Sequence, residues 1–411
     1  MKTRILGLLL VLLLCVAARS DQVYHAPDWF TDRCNLGHIA SNNEHVALPM
    51  AQRWHVKLGG PVRSSVIGAF DMLFLGADDK LMYALSPQDG SVTWTYQAEA
   101  KIHSSATAVA EGKGQYNFLW FTDESGQLYS LDTSDGSERW KLPGGVGTFT
   151  SATNYVGGMI VHTYMDTGVS SKLRVVSGST GNVSWESGSF NVTTATPMHG
   201  AGMLVQGLTQ GGTVVRTFNP VSGQVNWTIS DSGPQAASWT SGTVDMNVEM
   251  NTPIRMYFST RNSHVRAVSA MSGQSIWETT LPGQGPVTGI ALTQERDSNF
   301  LVVSQDADLY ALHPRTGSIL WRKHHDSNMT DPTSRQTPRP AIYGDYAFHV
   351  EGGNRLVATE LSTGAEKWSA QLDASTVSSP TVGGSTVYIA TSSGSVYAFS
   401  PKPRRGRVCC S

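Results

Sequence analysis

The side chains in this chain that could do chemistry are few and far apart. Two acidic stretches stand out, Asp78-Asp79 and Asp306-Ala307-Asp308. A calcium loop needs Asp, Asn and Glu at alternating positions of one segment, which neither stretch supplies. Each falls between β-type runs and reads as turn chemistry. His324-His325-Asp326 offers two imidazoles, but adjacent side chains on an extended strand point to opposite faces and make a poor chelate. His38, His45 and His55 are scattered, and His103 reads as the start of an inner strand. Neither a Ser-His-Asp order nor an H-E-x-x-H helix is present in the sequence. Cysteine is sparse. Cys15 lies in an apolar leader, Cys34 lies soon after it, and Cys409 and Cys410 lie at the far end of the chain.

The elements that must position these groups come from a repeat. A glycine is followed four residues later by tryptophan in Gly90…Trp94, Gly136…Trp140, Gly181…Trp185, Gly223…Trp227, Gly273…Trp277, Gly317…Trp321 and Gly364…Trp368. The tryptophans are 46, 45, 42, 50, 44 and 47 residues apart, a period that signals a repeat architecture. In the first copy, Tyr83-Ala84-Leu85 ends a strand and Ser86-Pro87-Gln88-Asp89-Gly90 is a turn. Ser91-Val92-Thr93-Trp94 then opens the next strand. Each unit reads as four strands, in the first about 63–67, 72–77, 80–85 and 92–96. The fixed offset gives every unit a tryptophan facing its neighbour, which is blade packing.

The ends complete the pattern. Arg53-Trp54 resembles the end of a unit without its beginning. The segments from Ser378-Ser379-Pro380-Thr381-Val382 to Ser395–Ser400 make a beginning without its tryptophan strand. Joined, they give an all-β, eight-bladed β-propeller of four-stranded antiparallel blades, with Trp54 on the strand that closes the last blade. Closure removes the exposed edges of an open array. The innermost strands are rich in Ser and Thr, including Ser64-Ser65, Ser104-Ser105, Thr150-Ser151, Thr193-Thr194 and Ser378-Ser379. Crowding at a narrow channel accounts for such small side chains. Connections between blades gather at one mouth of that channel. Their tips carry Arg63, His103, Thr148, Arg335 and Arg339, a polar and partly basic set suited to an anionic small molecule, a peptide or a glycan.

The Gly-x-x-x-Trp hairpins, the Ala-Leu before the turn and the Ser-Ser-Pro-Thr-Val inner strand resemble pyrroloquinoline-quinone-type (PQQ-like) propeller repeats. These occur in quinoprotein alcohol dehydrogenases and in the bacterial outer-membrane assembly propeller lipoprotein. The resemblance covers about residues 51–400. It implies the propeller, but a shared fold carries many functions. The quinoprotein enzymes hold the quinone in the funnel with Ca²⁺ and an Asp base, stacked on a disulfide of adjacent cysteines. Here the adjacent pair Cys409-Cys410 comes after the last blade, so it matches by composition and not by place.

Residues 1–20 read as a secretory signal: Lys2 and Arg4, then an apolar run, then Ala18-Arg19-Ser20. The run is too short to span a membrane. Leu14 before Cys15 is too large for a lipoprotein box. Residues 21–50 read as irregular, and 401–411 as a basic, cysteine-containing tail in which Arg404 and Arg407 fit a processing site. Loss of the leader makes a formal charge of −2 more negative, which argues against nucleic acid as a partner. Asn182, Asn191, Asn226 and Asn328 head N-x-S/T sequons, open to glycosylation in a eukaryotic host. Ring closure would bring Cys34 near Cys409 or Cys410, and such a bond would add roughly 2–4 kcal/mol. The expectation is a secreted or periplasmic, non-catalytic propeller that binds a protein, glycan or small anion, with no cofactor. A PQQ- and Ca²⁺-dependent dehydrogenase is the alternative.

Overall fold

The computed structural model describes residues 29–31, 34, 38, 40–111, 116–145, 151–167, 170–191, 196–200, 202–207, 213–230, 239–245, 254–260, 263–283, 287–293, 300–325 and 338–402. The leader, Thr148, Arg335, Asn328, Cys409 and Cys410 fall outside these residues, as does the side chain of Asn191.

Eight sheets form eight blades, each an antiparallel four-strand core. Blade 1 comprises Ile67–Ala69, Met72–Gly76, Leu81–Leu85 and Val92–Gln97. Blades 2 to 7 repeat it in chain order, ending in the outer strands Glu138–Leu142, Val183–Glu186, Val225–Ser230, Ser275–Thr280, Ile319–His324 and Glu366–Gln371. Blade 8 is the split one: Thr381–Gly383, Thr386–Ala390 and Ser395–Pro401 are completed by Met50–Lys57. Trp54 pairs with Ala398 and His55 with Tyr397, and the His55 and Tyr397 rings stack at 4.4 Å.

The middle two strands of each blade are apolar on both faces because neighbouring blades cover both, as in Leu73, Phe74 and Leu75. The outer strand is half-wet and alternates. In each blade the residue before the tryptophan is a bulge: Val92 pairs with Leu85 and Trp94 with Ala84, leaving Thr93 unmatched. Each tryptophan then reaches the next blade. Trp94 Nε1 donates to Thr133 O at 2.9 Å, Trp185 Nε1 to Pro220 O at 2.9 Å and Trp277 Nε1 to Pro314 O at 2.9 Å. The ring lies on the next turn glycine, where φ runs from +69° to +76°. A Cβ there would sit 2.5–2.9 Å from the ring, so both the turn and the stacking require glycine. The last seam differs: Trp368 Nε1 donates to Met50 O at 2.9 Å, closing the circle.

The structure corrects the inner strands. They begin later than the Ser/Thr pairs suggested, at Ile67 and Thr107 rather than Arg63 and Ser104. Ser64 Oγ bonds both the O and the N of Gly76 at 3.0 Å, so its hydroxyl stands in for ladder bonds. His103 therefore precedes the strand. The segment read as irregular also has a defined place, on the innermost strands. Trp29 exchanges two 3.0 Å backbone bonds with Gly68, and Phe30 O accepts from Ala108 N at 2.7 Å. Thr31 contacts the Thr107 hydroxyl. Ser41–Asn42 then runs parallel to Ile342 and Tyr343, and Glu44 accepts from Tyr343 Oη and Gly384 N. The N-terminal segment thus ties blades 1, 2, 7 and 8 together at the lower end of the channel.

Candidate functional site at the upper mouth

The connections between blades and the turns between second and third strands share one face, here the upper one. On it, the structure brings together two of the sequence-predicted residues. Arg63 Nε and His103 Nε2 approach Asp78 at 3.5 and 2.6 Å, and Lys101 Nζ lies 3.6 Å from the same carboxylate. His103 Nδ1 faces Glu124 at 2.9 Å, which joins blade 1 to blade 2. Asp78 is about 10% exposed, while the cations around it are a quarter to half exposed. Asp78, read from sequence as a turn residue, does lie in a turn and is also the centre of this cluster.

Arg339 is placed by a different set of bonds. Its N–H donates to Ser379 Oγ at 3.1 Å, Ser379 N to Ser65 Oγ at 3.2 Å and Ser65 N to Ser105 Oγ at 3.0 Å. This arc of amide-to-hydroxyl bonds runs through blades 7, 8, 1 and 2. It gives the small inner-strand serines a structural task. Gly289 of blade 6 makes room beside Arg339: a Cβ there would meet the Arg339 Cβ at 2.8 Å. His324 and His325 diverge, as their adjacency implied. His324 Nδ1 meets Asp308 at 3.0 Å, and His325 packs 5.6 Å from the buried His349 ring. Burial, with His325, Lys323 and Arg355 nearby, holds His349 well below the usual histidine range.

Sequence reasoning missed a repeated pin on this face. Eleven residues before the tryptophan stand Tyr83, Tyr129 and Tyr310 in blades 1, 2 and 6, and Arg174, Arg216 and Arg266 in blades 3, 4 and 5. Tyr83 Oη accepts from Gly59 N and donates to Asp79 at 2.5 Å. Tyr129 Oη accepts from Glu99 N and donates to Asp123 at 2.8 Å. Arg174 does the same work with charge, bonding Pro143 O at 2.9 Å and Glu186 at 2.6 Å. The pins at Tyr83, Tyr129 and Arg174 each hold the connection entering their own blade. Burial, helped by Asp79, pushes the Tyr83 phenol up to about 12. In blade 8 burial opposes ionisation of Asp373, but hydroxyls of Ser395, Ser393, Thr391 and Tyr397 win and bring it down to about 2. The fixed offset from tryptophan was the available signal.

Other carboxylates on this face are engaged by the chain's own cations. Arg322 grips Asp308 with Nε and Nη2, both at 2.9 Å, and Lys323 and Arg355 hold Glu351 at 2.7 and 2.6 Å. A calcium ion would have to displace these partners, so Asp78, Asp308 and Glu351 do not fit a calcium cage. Cys34, at the other end of the channel, is buried, with Sγ 3.4 Å from Ser41 O.

The family model described as outer membrane protein assembly factor BamB matches residues 47–155, 142–305 and 305–407. The chain belongs to this family of PQQ-like repeat propellers. BamB of Shewanella oneidensis is 22% identical over 346 residues, covering 82% of this chain and 70% of that protein. Among solved structures, BamB from Moraxella catarrhalis aligns with a TM-score of 0.62 at 15% identity, over 86% of this chain and 100% of that one. The quinohemoprotein alcohol dehydrogenase of Comamonas testosteroni aligns at 0.74 and 13% identity, over 92% and 81%. At these identities the structural likeness is one of fold. Among the described residues, no helix is long and apolar enough to cross a membrane.

Proposed function

We propose that this BamB-family propeller is a non-catalytic binding module of the secretory pathway or periplasm that holds a protein partner on its upper face. The observation that carries this reading is the division of the channel. The chain's own N-terminal segment bonds to the innermost strands at the lower end. The upper mouth keeps partly exposed charges, Arg63, Lys101, His103 and Glu124, around one buried carboxylate. Half-exposed charges over a rigid scaffold suit recognition of a partner's polar or acidic surface. Arg63, His103 and Arg339 are assigned to that contact, and Thr148 and Arg335 belong to the same connections by sequence. A glycan or small anion would use the same groups.

The test is titration of the purified protein against acidic peptides, glycans and small anions, with Arg63→Ala and Arg339→Ala as probes. Weakened binding in at least one variant is expected, and binding unchanged in both overturns the assignment. A PQQ- and Ca²⁺-dependent dehydrogenase predicts a new absorption band and dye-linked alcohol oxidation when both are added. Either result would replace the binding role.

A further inference from the structure

We propose that Asn182 and Asn226 carry N-linked oligosaccharides, and that these sugars cover an apolar rim on blades 3 and 4. Both sites are separate from the binding face at the upper mouth. At the position two before the turn glycine, five blades carry Gln88, Ser134, Ser179, Arg315 and Ser362. Blades 4 and 5 carry Val221 and Met271 instead. Val221 is 76% exposed, and on the outer strands Val225 and Val183 are 50% and 46% exposed. From Asn219 to Ser230 the rim of blade 4 has no charged residue. Val92 and Leu320 are comparably exposed on blades 1 and 6, at 50% and 45%, so the uncharged run with Val221 is what sets blade 4 apart.

Both asparagines lie inside that surface. Asn182 precedes Val183 and directly follows Gly181, in a turn closed by the Ser177 N–H donating to Asn182 O at 2.8 Å. Asn226 follows Val225 and is the bulged residue: Val225 pairs with Phe218 and Trp227 with Thr217, leaving Asn226 without a ladder partner. The bulge turns its side chain outward. Asn182, Asn226 and the hydroxyl residues at +2, Ser184 and Thr228, are all exposed, so the acceptor amide and its required hydroxyl are accessible together.

In a eukaryotic secretory pathway the donor is a lipid-diphosphate-linked oligosaccharide, brought by the transferase. The asparagine amide nitrogen bonds to sugar C1 as the bond from C1 to the diphosphate oxygen breaks. The lipid diphosphate leaves, and one amide proton passes to a base of the transferase.

Full-length chain secreted from eukaryotic cells is treated with an N-glycanase in ¹⁸O-water, which converts occupied asparagines to labelled aspartates. Label at 182 and 226 is expected, and Asn182→Gln and Asn226→Gln should each remove one step of mass, the double variant both. Absence of label at both sites overturns the proposal, whether the product is secreted or retained in the cytosol. Stripping the folded protein should raise self-association and binding of an apolar dye, and Val221→Ser with Val225→Thr should reverse the rise. Unchanged behaviour on stripping overturns the covering role.

Discussion

The outer rim and the upper mouth of this ring are built on opposite rules. At the rim, seven seams repeat one contact, a tryptophan lying on a left-handed glycine, and the eighth swaps the glycine turn for Met50. At the mouth, the described charge clusters differ from blade to blade, although blades 1 and 2 share the tyrosine–aspartate pin. Blade 1 collects three cations on Asp78, blade 6 clamps Asp308 with Arg322, and blade 8 surrounds Asp373 with hydroxyls. Repetition marks what the ring needs to exist, and variation marks the face proposed above for partner binding. Stability should therefore respond to rim changes and recognition to mouth changes.

The largest effect is expected from Gly136→Ala. It places a Cβ 2.6 Å from the Trp94 ring and forces an L-residue to φ +75°. A loss of about 2–4 kcal/mol should appear as a lowered midpoint in denaturant, with the same result at Gly223. A loss below half of that would mean that the seams are slack.

Next comes the interior between rim and mouth. His162 is buried, and both its ring nitrogens lack a partner. Burial first, then the Arg174 charge, lowers it to about 3 from an ordinary 6.5. The unfolded chain takes up a proton below pH 6.5 while the folded one stays neutral. Stability is thus full above 6.5 and falls as pH drops toward 3. About 3 kcal/mol should disappear between pH 7 and pH 4, measured by unfolding at each pH. His162→Phe should flatten that slope.

Smaller again is Asp78→Asn, which leaves Arg63, Lys101 and His103 without their shared carboxylate. A loss of about 1–2 kcal/mol is expected, with tighter binding of anions at the mouth. Smallest is Arg63→Ala, one third exposed in the wild type, with a change under about 1 kcal/mol in stability and a measurable loss of binding. If Arg63→Ala destabilised more than Gly136→Ala, the contrast between rim and mouth would collapse.

The rim was legible in the sequence because its physics repeats. One glycine that must be left-handed and one ring that must lie on it recur at a spacing of four, so the eight blades and the split closure at Trp54 and Tyr397 could be read directly. The mouth was legible in part. Arg63 and His103 were found as tips, yet their convergence on Asp78 depends on two blades meeting, which no local pattern encodes. Asp78 looked like any turn acid. The tyrosine and arginine pins escaped because residue type alternates while the position stays fixed. The N-terminal segment escaped for a further reason: Trp29 and Ser41–Asn42 bond through their backbones to strands distant in sequence, and such pairing has no side-chain signature.

The bond from Trp368 to Met50 joins residues 318 positions apart. The strand Met50–Lys57 is made long before its ladder partner, Ser395–Pro401. Throughout synthesis, this early strand has an unmet edge and must be kept from mispairing until the final blade appears. Assembly therefore ends with a long-range zipping step, so folding should be slow and sensitive to chaperone supply. Chains stopped short of Pro401 would expose that edge permanently, which would let a cell tell a finished ring from an unfinished one.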